Sequence, residues 1–240
     1  MPKTNARAKR GIDKALLLEA AFEMLSKGGE DAFSIRKLGL SAGVDPMTIL
    51  HHFGSKDALL RRVADLALTT VKLPHPSDDW QEDLRSVAHA YRALAHRHPR
   101  LFHLHFRYHA TGPVDHASSE VVYRAMRRAG LSDGDAAGLG LAFYAFVLGF
   151  ALAEAEGLLR PITKDDEREL SALDPKDCVA TLALVPAFKT LDRDAAFDVA
   201  INALIAGIAL QRRSPPAAVT PRKAAAAPAS RTPVRRSGTS

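Results

Sequence analysis

The chain has 240 residues, 47% of them apolar and 25% charged, an ordinary globular composition that can build a real core. Its net charge of +6 is unevenly placed: residues 1–12 and 212–240 hold eleven Lys and Arg and no acid, which leaves residues 13–211 at −5. An acidic body with two basic ends suits a polyanion such as nucleic acid, while one cysteine, Cys178, excludes an internal disulfide. No N-terminal stretch joins a positive start to an apolar run and a small-residue cleavage site, so the expected place of action is the cytoplasm.

Residues 1–12 read as a basic arm, and residues 13–60 then repeat one helix-start signal: an apolar residue, a capping side chain, and an apolar partner five positions after the first. In the first helix these are Ile12, Asp13 and Leu17; Ala20, Ala21, Met24 and Leu25 continue the apolar face, and Gly28-Gly29 ends it. Phe33, Ser34 and Leu38 open a second helix over 34–41. Val44, Asp45 and Ile49 open a third over 46–53, with Pro46 at its first position, where a missing N–H costs nothing. Two short helices joined by Ala42-Gly43 fit a helix-turn-helix, the device that lays its second helix in a DNA major groove. Ser55 caps a fourth helix, expected to run to Leu73, whose first turn offers free N–H groups and Lys56 to an anion.

Residues 61–211 continue at helical period. Ser77 is the expected cap of a helix carrying the stripe Trp80, Leu84, Val87, Tyr91 and Leu94. A short helix and loop follow in "RHPRLFHLHFRYHATGP", then helices near 117–129, from 133 to 157, from 174 to about 184, and from 192 to 211. The charge-free run 136–153 is just long enough to span a bilayer, but acids flank it and no Lys/Arg cluster does, so burial in a core or subunit interface is the preferred reading. No alternating strand pattern occurs. The expected fold is all-α: an N-terminal three-helix DNA-binding domain over 13–60, and a larger helical ligand-binding and dimerisation domain over 61–211. Residues 212–240, with five prolines and no aromatic residue, are expected to be a disordered basic tail.

From "LEAAFEMLSKGGEDAFSIRKLGLSAGV" through "DPMTILHHFGSKDALL" the chain resembles the TetR family of bacterial transcriptional repressors. The matching features are the Gly-Val, a Thr ahead of His-His-Phe, and the Ser-Lys-Asp start with its following Leu. "WQEDLRSVAHAYRALAHRHPRL", "AMRRAGLSDGDAA", "FYAFVLGFALAEAE" and "FDVAINALIAGI" are similar to helices of the tetracycline-repressor type of C-terminal domain. The resemblance implies a dimer that binds a palindromic operator and is released by a small molecule. One position departs: Leu50 stands where the family usually has a recognition-helix tyrosine, and Leu cannot donate a hydrogen bond to phosphate.

On the third helix Val44, Ile49 and Phe53 face the core, leaving Pro46, Met47, Leu50 and His51 as base-edge candidates. Hydrogen-bond readout then falls to His51, with Thr48 beside it. Ser34, Thr48, His52, Lys56 and the arm residues Arg7, Lys9 and Arg10 are the expected phosphate contacts. Capping alone also accounts for Ser34 and Asp45, and packing for His52. Because two half-sites must lie about 34 Å apart, two copies have to pair, and the apolar helices over 133–157 and 192–211 are the expected four-helix interface. An unknown effector would sit among Trp80, Tyr91, Phe102, Phe106, Phe143, Tyr144 and Phe146, with His103, His105 and His109 beside them, and the fourth helix would carry its signal to the DNA. Seven of the ten histidines lie between His89 and His116. The tetracycline-repressor class uses a histidine in this region to hold a metal-chelated drug, but surface histidines explain the cluster here, and neither metal nor cofactor is expected. Two alternatives stay open: a His-rich metal-dependent enzyme, which lacks any accompanying catalytic motif, and an architectural DNA-binding protein without effector.

Overall fold

The structure, a computed structural model, describes residues 13–108 and 111–211. The arm residues Arg7, Lys9 and Arg10, the C-terminal tail and His109 fall outside these. Twelve helices follow one another among the described residues, with no strand: α1 (Lys14–Gly28), α2 (Ile35–Ala42), α3 (Pro46–Phe53), α4 (Lys56–Leu68), α5 (Trp80–Arg97), α6 (Pro99–Arg107), α7 (Pro113–Arg128), α8 (Asp133–Ala155), α9 (Lys164–Ser171), α10 (Val179–Ala183), α11 (Val185–Lys189) and α12 (Arg193–Gln211). The architecture is all-α.

Each of the first four helices starts on the side chain expected to cap it. Asp13, Ser34, Asp45 and Ser55 accept hydrogen bonds from the backbone N–H groups of Ala15, Lys37, Met47 and Ala58 at 2.8, 3.1, 2.7 and 3.0 Å. Leu17, Ala21 and Leu25 of α1 meet Phe33, Leu38, Ile49, Phe53 and Leu59 in one dry core. The turn between α2 and α3 depends on two glycines. Gly43 takes the left-handed conformation at φ 67°, and a Cβ on Gly39 would stand 2.8 Å from the Val44 carbonyl oxygen, closer than packing allows. These two positions let α3 cross α2 tightly and project outward.

Several boundaries differ from the sequence reading. α4 ends at Leu68 rather than Leu73, because the Thr69 and Thr70 hydroxyls donate back to the carbonyls of Leu66 and Ala67 and close the helix. The cap of α5 is Asp79, which accepts from Gln81 and Glu82 N–H groups; Ser77 instead accepts from the Asp79 N–H. The helix expected from residue 174 begins only at Val179, since Asp174 bonds the Lys176 N–H and opens a turn. α9 and α11 were not expected: neither buries a residue, so neither shows an apolar stripe.

Two features of the C-terminal bundle bear on function. α7 has no side-chain cap of its own; Asp65 of α4 supplies one, its Oδ1 accepting from the N–H groups of Val114 and Asp115 at 3.0 and 3.3 Å. Gly112 makes room for that carboxylate, since a Cβ there would come within 2.5 Å of it. Elsewhere, Arg92 of α5 forms two 2.7 Å bonds to the buried Glu154 of α8 and a third to Asp194 of α12. Partial burial raises the Glu154 carboxyl, but the Arg92 bonds outweigh it and hold the group below its ordinary value. α8 and α12 are also long and apolar enough to cross a membrane by length and composition, with 28% and 22% of their apolar windows buried within one chain.

Candidate functional site

The helix-turn-helix end is built around α3. Ile49 and Phe53 pin it to the core, while Met47 is 67% exposed and His51 is exposed beside it. Pro46, Thr48, Leu50 and His52 are half-buried, and the His51 and His52 rings meet edge to face at 6.0 Å. Ser34 and Asp45 have their side chains committed as caps. On the neighbouring α2, Leu40 is 86% exposed, an apolar surface that the sequence reading passed over. Lys56 does not stand free: its Nζ lies 3.5 Å from Glu30 Oε1 and over the Phe33 ring.

A cavity of about 410 Å³ opens in the other half of the molecule, between α5, α6, α7 and α8. Of the residues proposed from sequence it brings together Tyr91, His105, Phe106 and Tyr144. Phe102 and Phe143 lie fully buried in the core, Trp80 stands at the first turn of α5 away from the cavity, and His103 turns toward Glu30, just past the end of α1. Asp115, Ser119, Tyr123 and Leu141 complete much of the wall, and no local sequence pattern marks them. Asp115 is the polar centre. Its Oδ1 accepts from the Tyr91 hydroxyl at 2.5 Å and its Oδ2 from the Thr111 N–H at 3.0 Å. Burial pushes the Tyr91 phenol well above its ordinary value and the Tyr144 phenol to about 12, so both keep their protons. His105 is buried with neither ring nitrogen hydrogen-bonded, and burial lowers its pKa to about 4 despite the pull of Asp115 and the Ala64 carbonyl.

The cavity and the helix-turn-helix end meet at the end of α6. Arg107 lines the cavity and also bonds both Glu30 oxygens at 2.8 Å. Glu30 receives His103 at 3.2 Å as well; partial burial raises its carboxyl, and the bonds from His103 and Arg107 overcome this and hold it below the usual carboxylate range. Tyr108, also in the cavity wall, donates its hydroxyl to Asp57 in the first turn of α4 at 3.0 Å, with Arg61 of α4 stacked on its ring. These pairs span 51 to 77 residues of sequence, a distance at which no spacing rule operates. Among the described residues, no group of three or more His, Cys, Asp or Glu is placed to hold a metal ion.

Comparison with known proteins agrees with this arrangement. Residues 17–63 match the family model for bacterial regulatory proteins of the tetR family, and residues 73–212 match the model for the tetracyclin repressor-like C-terminal domain. The chain is 28% identical over 201 residues to the tetracycline repressor protein class A of transposon 1721 from Escherichia coli, an alignment covering 82% of this chain and 90% of that protein. Apo ActR from Streptomyces coelicolor superposes with a TM-score of 0.74 at 25% identity, covering 85% of this chain and 98% of ActR. ActR in complex with (S)-DNPA superposes with a TM-score of 0.72 at 25% identity, covering 83% and 98%. The helix-turn-helix, the hollow helical body and both family matches thus converge: the chain belongs to the TetR family of bacterial regulatory proteins.

Proposed function

We propose that the protein is a homodimeric, ligand-responsive transcriptional repressor of the cytoplasm that binds a palindromic operator and leaves it when a small molecule enters the cavity. Residues 13–60 are the DNA-binding unit and 61–211 the ligand-binding and dimerising body. The observation that carries this reading is the junction at α6: Arg107 and Tyr108 border the cavity and at the same time hold Glu30 and Asp57 beside the start of α4. A ligand that shifts the end of α6 therefore acts directly on the helix that follows the recognition helix. A second link lies in Asp65, through which α4 caps the helix bearing Asp115. A ligand lowers operator affinity only as far as it prefers the conformation with misplaced recognition helices, and such couplings usually amount to about 1–3 kcal/mol.

Pairing is supported by α12. Phe197, Ile201, Ile205 and Ile208 form its buried stripe, while Val199, Ala203, Ala206 and Leu210 form a second apolar stripe on the outside at spacings of four, three and four. An apolar helix with only one side covered calls for a partner surface, and a two-fold axis supplies it together with α8. The relatives support the ligand step in their own right, since ActR is seen with (S)-DNPA bound.

In the complex, Pro46, Met47, Leu50 and His51 face the base edges, His51 being the hydrogen-bonding reader. Ser34, Thr48, His52 and Lys56 lie along the phosphates, joined by Arg10 from the arm. Selecting DNA from a random pool with the purified protein tests the reading. The expected product is a palindrome with half-sites about one helical turn apart, and His51→Ala should select an altered sequence. Selection of no particular sequence would replace the repressor with an architectural protein, and an unchanged preference in His51→Ala would remove the base-reading role of His51.

A further inference from the structure

The cavity contains one polar side chain that the protein itself leaves unsatisfied. His105 is 6% exposed, borders the cavity, and has no hydrogen bond at either ring nitrogen. Buried polar groups are normally paired, so an unpaired one facing empty space marks where a ligand atom completes the bonding. At neutral pH the ring is uncharged and offers one donor and one acceptor nitrogen. The Ala64 carbonyl favours a proton on the side of the ring that faces it without closing a hydrogen bond, which leaves the other nitrogen an acceptor.

The surroundings define what can donate to it. The nearby Asp115 carboxylate is also an acceptor, and the Tyr91 hydroxyl is already spent on it. Tyr144 shares its hydroxyl with Ser118 at 3.4 Å. Arg107, the only guanidinium of the wall among the described residues, is engaged by Glu30. The wall also carries the Ser119 and Tyr123 hydroxyls and the His116 ring, but the side at Asp115 holds a negative charge, so it matches hydrogen-bond donors and repels an anion. Its flat surfaces come from Tyr91, Phe106, Tyr123 and Tyr144, together with the apolar Leu141 and Leu148, a lining suited to a planar ring system.

Resting on the reading of this cavity as the effector site, we infer that its ligand is an uncharged aromatic compound bearing a hydroxyl group, which donates a hydrogen bond to His105 while its rings stack against the tyrosines. His105 is then the residue that selects for the hydroxyl. A site built to pair a hydroxyl rejects the analogue lacking it, because the buried partner is left unpaired.

Three two-ring probes decide the matter in the full-length protein: 2-naphthol, an uncharged donor at pH 7; 2-methoxynaphthalene, which has no donor; and 2-naphthoate, an anion. Calorimetric titration should show 2-naphthol binding at least about tenfold more tightly than the other two. In His105→Phe the preference for 2-naphthol over 2-methoxynaphthalene should fall to near unity while 2-methoxynaphthalene still binds. If that variant does not fold, the wild-type ranking alone decides. Equal binding of all three, or a preference for 2-naphthoate, overturns the assignment of His105 while leaving the cavity a ligand site. Binding of none overturns the cavity as an aromatic ligand site, and the effector step with it.

Discussion

α5 and α8 are neighbours in the same bundle and are finished differently. α5 buries Leu84, Val87, Tyr91 and Leu94 and turns Glu82, His89, His96 and Arg97 to solvent, so one chain satisfies both of its sides. α8 also buries a stripe, from Ala136 through Phe143 and Val147 to Ala151, yet on the side away from the cavity it shows Ala142 in full and Phe146 and Phe150 in part. α12 repeats the second pattern. A helix with a polar outside is complete within its own chain, whereas one that is apolar all round is complete only in an assembly. The contrast therefore separates the part of the molecule built for internal stability from the part proposed for pairing.

The most direct way to break the contrast is to give α12 a charged outside. Val199 is 71% exposed in one chain, so Val199→Glu should leave the fold of the protomer intact. Across a two-fold interface it buries an unpaired carboxylate, at a cost of about 3–5 kcal/mol, which corresponds to more than about 100-fold in the dimer constant. Sedimentation velocity should show monomer, and operator affinity should fall with it. A variant that keeps the dimer mass would remove the outer side of α12 from the interface.

A second change sharpens the contrast from within. Glu154 is the charged residue that α8 buries, and it is tolerated because Arg92 clasps it with two bonds. Glu154→Gln removes the charge and leaves Arg92 with Asp194 alone, for a loss of about 3 kcal/mol at pH 7. The pH dependence carries the signature. A carboxyl held below its ordinary value of 4.5 contributes stability that is complete above that value and is lost as the pH falls through the lower folded value. Wild type and variant should therefore differ in urea melts at pH 7 and converge in acid as the pH falls from 4.5 through the lower folded value. An equal gap at both pH values would mean that the ion pair contributes nothing through its charge.

The two halves were also unequally legible in the sequence. Asp13, Ser34, Asp45 and Ser55 each cap the helix that follows, and Gly43 supplies the turn, because these are local effects written within five residues. The helix that binds its cap from elsewhere could not be read that way: α7 is started by Asp65, some fifty residues upstream. The same holds for the cavity. Tyr91 and Asp115 are joined across 24 residues, and Glu30 with Arg107 across 77, so the aromatic residues could be named but not sorted into wall and core. Phe102 and Phe143 are aromatic residues at helical spacing like Tyr91 and Tyr144, and only the fold shows that the two tyrosines, through hydroxyls bonded to Asp115 and Ser118, reach the wall. Periodicity also failed for α9, whose sequence KDDERELS buries nothing.

The smallest expected effect lies at the DNA end, in Lys56. The sequence places its ammonium at a helix start where a phosphate would lie, while the structure gives it Glu30 as a partner at 3.5 Å, with Lys56 42% and Glu30 19% exposed at the side chain. A partly exposed pair of this kind contributes at most about 1 kcal/mol, so a phosphate can compete for the cation at little cost. Glu30 does not become an uncompensated charge when Lys56 leaves, because Arg107 and His103 remain bound to it. Lys56→Ala should therefore change thermal stability little, weaken binding to all duplexes alike, and reduce the salt slope of binding by about 1. A titration of the selected operator across salt concentrations measures that slope. An unchanged slope would mean that Lys56 stays with Glu30 in the complex, and that the α4 start is tied to α6 whether or not DNA is bound.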